Sequence, residues 1–526
     1  MSVTYSSASE HLARFLAHGN AQHLRSNLIG LEKETLRVLA DGSIARTRHP
    51  RVLGSALTNP YVTTDYSEAL LELITPPSSG EQALAFLDDV HRFVYQGLDN
   101  EYLWATSMPC VLSGESSIPI AEYGPSNPGR MKHIYRVGLG HRYGRVMQVI
   151  AGVHFNFSIS DLAWQTLHAL AGEPGTVQDF ISARYMGLVR NIQRVGWLVP
   201  YLFGASPAVC ESFFVGRSSN LPRFDEHTLY EPYATSLRMG DIGYTNAKEG
   251  ESGIKASYDS LASYVESLEC AIGTPSERYA RIGVKVDGEY RQLNDHILQI
   301  ENEYYSTIRP KPLLQDDERP TIALRRHGIR YVELRSLDVN AFEPLGLGLA
   351  QMRFLETLLL FCLFADSPVI SAAERDAIDI NFARVAHRGR EPGLELEQAG
   401  GKRLLREWAH EILDALQPFC DVLDADAGTA YRDALAQQRE KVRDPEATPS
   451  ARMLAEMRAR GEGFHAFACR QSLAHRDAFL RRPLAQDRYA FFENIARESL
   501  QRQQSLETSD TGDFDAYLAA YFAQRA

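Results

Sequence analysis

Residues 31–38 read Leu-Glu-Lys-Glu-Thr-Leu-Arg-Val, and they constrain the chain more than any other stretch. Glu32 and Glu34 lie two residues apart. The turn pair Asp41-Gly42 follows and Ile44 restarts an apolar pattern, so the stretch reads as the first arm of a hairpin. On a strand, alternate side chains share a face, so both carboxylates point the same way. Adjacent carboxylates repel unless a positive group lies between them, and a divalent cation is the usual answer. Alone, the stretch is more simply a solvated strand face. Three later segments of the same character shift that reading.

Thr63 to Pro76 reads as a strand that puts Glu68 and Glu72 on one face, with Asp65 nearby and a stop at Pro76. Val153 to Ser158 alternates most cleanly, with Val153, Phe155 and Phe157 on one side and His154, Asn156 and Ser158 on the other. In Tyr331 to Ser336, Glu333 and Arg335 share a face opposite Val332 and Leu334. Each segment therefore offers a polar face backed by an apolar one, as in a sheet packed on helices from one side. Singly, His154 is more often a hydrogen-bonded core residue, and Arg335 has Glu333 to neutralise. Together the polar residues are mainly acids plus one histidine, the donor set of a divalent cation. The histidine fits Mg²⁺ less well than oxygen donors do and makes Mn²⁺ a plausible substitute. There is no Walker P-loop and no dinucleotide-type GxGxxG, so bound ATP phosphates would be held by metal ions and arginines. From the residues alone, the chain reads as metal-dependent phosphate chemistry on an antiparallel sheet.

The chain has 526 residues, enough for a large core or two to four domains. Its 55 basic and 67 acidic residues give a net charge of -12, which argues against nucleic acid as the main partner. Cys110, Cys210, Cys270, Cys362, Cys420 and Cys469 are scattered with no CxxC pair, and are expected as free thiols in a reducing compartment. No signal segment is read at the N-terminus, and the apolar run Thr357 to Ala365 is too short to span a bilayer. It reads as a buried helix, and the expected location is the cytoplasm. Helices are expected after a capping box at Ser7 to Glu10, over 81–98, 178–203 and about 257–270, and from about 345 onward. Residues 123–130 and 232–246 read as loops, Asp287-Gly288 as a hairpin turn, and Arg443 to Ser450 as a linker, with Ser450 placed to cap the next helix.

Eight motifs occur in order over about residues 25–370: Gly30 to Arg37, Thr63-Thr64-Asp65, Glu68 to Glu72, Gly152 to Ser158, Pro200 to Pro207, Pro232 to Arg238, Gly243 to Asn246 and Tyr331 to Asp338. In this they resemble the glutamate–cysteine ligase family (γ-glutamylcysteine synthetase), proteobacterial type. Beyond residue 370 the resemblance is general. It implies an α+β fold related to glutamine synthetase: a curved, mainly antiparallel sheet forming a funnel, with helices packed outside. Residues 1–370 would form the catalytic core and 371–526 a mainly helical C-terminal part packed on it. The implied reaction joins the L-glutamate γ-carboxylate to the L-cysteine amine through γ-glutamyl phosphate, using ATP with Mg²⁺, or Mn²⁺ in its place.

By the same resemblance, Glu32, Glu34, Asp65, Glu72, His154 and Glu333 match the metal positions, and Arg335 lies near the transferred phosphate, so that Glu333 and Arg335 carry catalysis. Tyr66, Arg136, Leu139, Gln148, Ile150, Tyr244 and Tyr305 match positions lining the cysteine pocket. Arg238 is a candidate for a substrate carboxylate, and Arg309 and Lys311 are candidates for phosphate. Tyr66 departs from the phenylalanine expected there, which keeps open a ligase with a different amine acceptor. A metal-dependent phosphoesterase and a non-enzymatic thiol or glutamate sensor are the readings from other classes. The expected partners are small molecules, with no nucleic acid, membrane or obligatory protein partner.

Overall fold

The computed structural model describes the chain apart from residues 1–4, 18, 110, 216, 244–254, 316–317, 426–427, 511 and 526. Its centre is a seven-stranded sheet made of β1 (Leu28–Val38), β2 (Val62–Thr64), β3 (Leu70–Ile74), β4 (Tyr102–Leu103), β5 (Gly152–Ser158), β6 (Ile308–Lys311) and β7 (Tyr331–Asp338). The strand order is β6-β7-β5-β1-β3-β2, with β4 pairing the far end of β1, and every pairing is antiparallel. Edge strand β6 carries Pro310, which an inner strand would not tolerate because proline has no N–H to donate. The mixed α+β class, the antiparallel sheet and the helical C-terminal part are as expected from the sequence.

One face of the sheet is apolar. Ile29 and Leu31, then Val153, Phe155 and Phe157, then Val332 and Leu334 are all buried on it. Against this face lies the helix Gly80–Gly97, and the helix Phe464–Leu480 covers that helix in turn. The run Thr357 to Ala365 lies largely within the helix Leu349–Phe364, which is buried on nearly all sides among Val177–Val195, Gly80–Gly97 and the C-terminal helices. Polar side chains also point to this side, among them Lys33, Thr35 and Arg37 of β1, all buried. Lys33, between Glu32 and Glu34, points backward and donates from Nζ to His91 Nε2 at 2.9 Å. Burial lowers its pKa to about 7.

Several expectations are corrected. Residues 63–76 form two strands with a turn between, not one, so Glu68 and Glu72 do not share a face. Glu68 instead accepts the backbone N–H groups of His49 and Glu122 at 2.8 and 2.9 Å. The loop at 123–130 ends at Ser126, whose side chain caps the helix Asn127–Tyr143, with Pro128 in its first turn. The helix expected over 178–203 breaks into Val177–Val195 and Leu198–Phe203. Ser7 lies inside the first helix, which already runs from Tyr5, and Thr448 rather than Ser450 precedes the helix Pro449–Arg460. A hairpin, Glu395–Gln398 with Gly401–Leu404, interrupts the helical C-terminal part, because Gly400 and Gly401 both adopt positive φ and turn the chain. Cys210 is disulfide-bonded, whereas Cys270, Cys362, Cys420 and Cys469 are free. A cystine needs proximity in space, which spacing along the chain does not report.

Candidate active site

The other face of the sheet is polar, and register assembles it. Glu34 stands opposite Glu72 across β1 and β3, and Glu32 stands opposite His154 across β1 and β5. Asn156 faces Glu333 across β5 and β7, and Arg309 faces Glu333 across β6 and β7. Residues more than 300 positions apart thereby share one surface. It floors a cavity of about 860 Å³, at the upper end of the range for small-molecule sites.

The side chains interlock. Asn156 Nδ2 donates to Glu32 Oε1 at 2.8 Å, and His154 Nδ1 lies 3.1 Å from Glu32 Oε2. His154 Nε2 is 3.6 Å from Glu34 Oε1, and its Nδ1 is 3.8 Å from Glu333 Oε1. The backbone N–H of Gly152 donates to Glu34 Oε2 at 2.6 Å. Glu333 is met by Lys311 Nζ at 3.4 Å and by Arg335 Nη1 at 3.2 Å. A β-bulge begins at Arg335. Leu334 pairs with Phe155 but Leu337 pairs with Val153, so Arg335 and Ser336 together stand opposite His154.

Charge is unevenly spread over this floor. Burial, with Glu32, Asp65 and Glu34 close by, holds the Glu72 carboxyl well above the usual carboxylate range. Burial raises Glu34 as well, with Asp65 adding to it and His154, Arg238 and Arg335 opposing. At the other end, burial acts on Glu333 too, yet Lys311, Arg335, His154 and Arg309 outweigh it and hold its carboxyl well below the usual range. Glu32 is also lowered, because the hydrogen bond and charge of His154 overcome burial and the repulsion of Glu333. The acids around Glu72 thus lack the countercharge that Glu333 has. Glu32, Glu72 and His154 each place a ligand atom within 4.8 Å of the others, a spacing and donor set that fit a divalent cation.

All six expected metal positions line the cavity, as do Tyr66, Arg136, Leu139, Gln148, Arg238, Tyr305, Arg309, Lys311 and Arg335. Ile150 does not: it is fully buried beneath the wall, since it closes the turn into β5 instead of facing inward. Tyr244 lies outside the described residues. Arg136 places Nη2 3.9 Å from Asp65 Oδ1, donates from Nε to the Asp65 carbonyl and covers the Tyr123 ring at 4.7 Å. The buried Tyr66 hydroxyl and Arg335 Nε have no hydrogen-bond partner among the described residues. Leaving such a donor unmatched costs about 1–3 kcal/mol, so at a cavity wall it favours a polar ligand. Sequence reasoning missed Tyr517 and Tyr521, which line the cavity from the helix Phe514–Ala523. Their i, i+4 spacing was the available signal, and it looks the same as ordinary helix packing.

An antiparallel sheet with a carboxylate-rich face, cations gathered at one end and a large cavity above defines an enzyme site for anionic small molecules. The family model for glutamate–cysteine ligase matches residues 12–385. Relatives named glutamate–cysteine ligase include those of Pseudomonas paraeruginosa, 51% identical over 517 residues, and Azotobacter vinelandii, 51% identical over 520, each alignment covering 98% of both chains. The structure of a Francisella tularensis glutamate–cysteine ligase in complex with AMP superposes with a TM-score of 0.88 at 36% identity, covering 94% of this chain and 97% of that one. A bifunctional glutathione synthetase from Pasteurella multocida matches with a TM-score of 0.73 at 25% identity, covering 92% of this chain and 58% of that one. The chain belongs to the glutamate–cysteine ligase family.

Proposed function

We infer that the cavity joins the γ-carboxylate of L-glutamate to the amine of L-cysteine, driven by ATP, and releases γ-glutamylcysteine, ADP and phosphate. As a member of its family the chain is an ATP-dependent carboxylate–amine ligase. The observation that carries the mechanism is the meeting of an acid cluster and a cation cluster at Glu333. A carboxylate is a poor electrophile, so its γ-oxygen is first phosphorylated, and two anions must approach each other. Arg335, Arg309 and Lys311 offset that repulsion and the charge that spreads over the phosphoryl oxygens in flight. Lys311 and Arg335 both pair with Glu333. An incoming polyphosphate offers them a stronger partner.

Glu32, Glu72 and His154, with Glu34, Asp65 and Glu333 alongside, would hold Mg²⁺, or Mn²⁺ in its place. Such ions, when bound, neutralise phosphate oxygens and leave open positions for substrate. Arg238 takes a carboxylate of glutamate. Tyr66, Arg136, Leu139, Gln148 and Tyr305 surround the cysteine. The intermediate γ-glutamyl phosphate is hydrolysed by water, so the deep cavity must stay closed to solvent until the amine arrives. We place the reaction in the cytoplasm, where cysteine is kept reduced, with no protein partner required. Among the described residues, no helix is long and apolar enough to cross a membrane.

The test is ADP release from ATP and Mg²⁺ with glutamate and cysteine together and with each alone. Release that needs both, stops with chelator and yields γ-glutamylcysteine is the expected result. Release with glutamate and another amine, but not cysteine, would move the acceptor and point to Tyr66. No release from folded, metal-supplied protein would refute the ligase reading.

A further inference from the structure

Three of the motifs, Pro200 to Pro207, Pro232 to Arg238 and Tyr331 to Asp338, converge on one side chain that the mechanism above does not use. Asp338, 1% exposed at the end of β7, accepts from the Ala205 backbone N–H and from Ser206 Oγ at its Oδ2, both at 2.8 Å. Its Oδ1 accepts from Ser236 Oγ at 2.8 Å and lies 3.7 Å from Arg238 Nη1. The two loops are also tied directly, since Leu237 N–H donates to the Ser206 carbonyl at 2.7 Å. The carboxylate thus accepts three hydrogen bonds from neutral donors, and Arg238 is the cation beside it.

That cation faces the cavity. Arg238 is 2% exposed, donates from Nη2 to the Arg335 carbonyl at 2.9 Å and lies directly over Gly152. A Cβ on Gly152 would come within 2.1 Å of Arg238 Nη2, so this guanidinium occupies space that only glycine leaves. Gly152 in turn pairs with Asp338 across β5 and β7, and its N–H holds Glu34. A long, flexible arginine thus lies in space that Gly152 leaves, with Nη1 donating to Met239 Sδ at 3.1 Å and the Asp338 carboxylate at its side.

We propose that Asp338 is a positioning residue for glutamate: it aims Arg238 at the substrate carboxylate and touches neither substrate nor metal. The inference rests on the reading of Arg238 as the glutamate carboxylate ligand. Displacing a guanidinium by about 1 Å is enough to cost on the order of 10²-fold in a positioned reaction, and loss of an orienting partner costs about 10–100-fold.

The experiment measures KM for glutamate and for ATP, with melting temperature, in Asp338→Asn, Ser206→Ala, Arg238→Gln and the double variant Asp338→Asn/Arg238→Gln. Ser206→Ala disturbs the same carboxylate on its Oδ2 side only. Asp338→Asn should raise KM for glutamate about 10-fold or more and leave KM for ATP within about twofold. Ser206→Ala should lower the melting temperature without that split. In the Arg238→Gln background, Asp338→Asn should add no further rise. If Asp338→Asn does not fold, Asp338→Glu keeps the charge but displaces it and should show the same split. Equal rises in both KM values that track melting temperature, or full additivity with Arg238→Gln, would overturn the proposal. Arg238→Gln with an unchanged KM for glutamate would overturn it at its premise. The ligase reading fails separately, only if the wild-type protein makes no γ-glutamylcysteine.

Discussion

At the scale of single residues, charge decides most of the chemistry. Glu333 is 1% exposed and tolerates burial because three cations and His154 surround it. Arg335→Ala and Glu333→Ala should each lower kcat by about 10²–10³-fold while circular dichroism stays native, because both groups act on charge that develops during phosphoryl transfer. Wild-type-like turnover in either variant would remove the central role assigned here. His49 makes a second, unrelated case. Both its ring nitrogens are buried without hydrogen-bond partners among the described residues, and burial, helped by Arg37, depresses its pKa to about 3. The unfolded chain takes up this proton below about pH 6.5 and the folded chain does not, so stability falls as pH drops from 6.5 toward 3. His49→Phe should therefore flatten the acid limb. Denaturant melts should show it gaining roughly 2–3 kcal/mol on the wild-type protein in going from pH 7 to pH 4.5. Parallel loss in both proteins would show that His49 does not carry the effect. Glu32 and Glu34 were legible in the sequence because a strand's two-residue period is local. Asp338 was not, because the groups it binds at residues 205, 206 and 236 lie 133, 132 and 102 positions away.

At the scale of elements, parity along a strand carries the site. In β7 the apolar positions run Val332, Leu334, then Leu337, a step of three where a strand expects two. That slip is the sequence trace of the bulge: Arg335 keeps the Glu333 face that a two-residue period gives it, Ser336 is added beside it opposite His154, and Leu337 returns to the core. Deleting Ser336 should close the bulge and leave Leu337 facing the core, with Arg335 alone in regular pairing opposite His154. The expected outcome is a loss of kcat of about 10²-fold with KM for cysteine little changed and cooperative unfolding retained. Retained turnover would mean that Arg335 needs no bulge to reach its target. The turn between β2 and β3 was hidden for a related reason. Residues 65–69, Asp-Tyr-Ser-Glu-Ala, contain neither glycine nor proline, and the local mark of the reversal is only Ser67, whose Oγ accepts from the Ala69 N–H at 3.2 Å and whose carbonyl accepts from the Leu70 N–H at 2.9 Å. By contrast, the second hairpin was plain, since Asp287 and Gly288 both take the positive φ that such a turn requires.

At the scale of the whole molecule, the C-terminal chain belongs to the cavity as well as to the packing behind it. Phe514 and Leu518 bury against Met131, Ile134 and Leu293, and the Arg130 guanidinium lies 4.4 Å from the Phe514 ring centre. Asp510 takes hydrogen bonds from the first residue of the helix Asn127–Tyr143, and Gln524 takes one from Arg319 N–H at 3.1 Å. Tyr517 and Tyr521 of the same short helix reach the cavity wall. We therefore propose that residues 1–370 and 371–526 form one folding unit, and that the last helix seals the reaction chamber. Removing residues 511–526 would strip the cover from an apolar cluster and open the wall to solvent. Each large apolar side chain returned to water costs about 1.5–3 kcal/mol, so the melting temperature should fall by several degrees. The sharper expectation concerns coupling. An acyl phosphate exposed to water is hydrolysed, so the shortened chain should release more ADP than it makes γ-glutamylcysteine, whereas the full chain should keep the two equal. Measuring ADP and dipeptide in the same reaction decides the matter. A ratio that stays at one while stability falls would make the last helix a cover for Met131, Ile134 and Leu293 and nothing more.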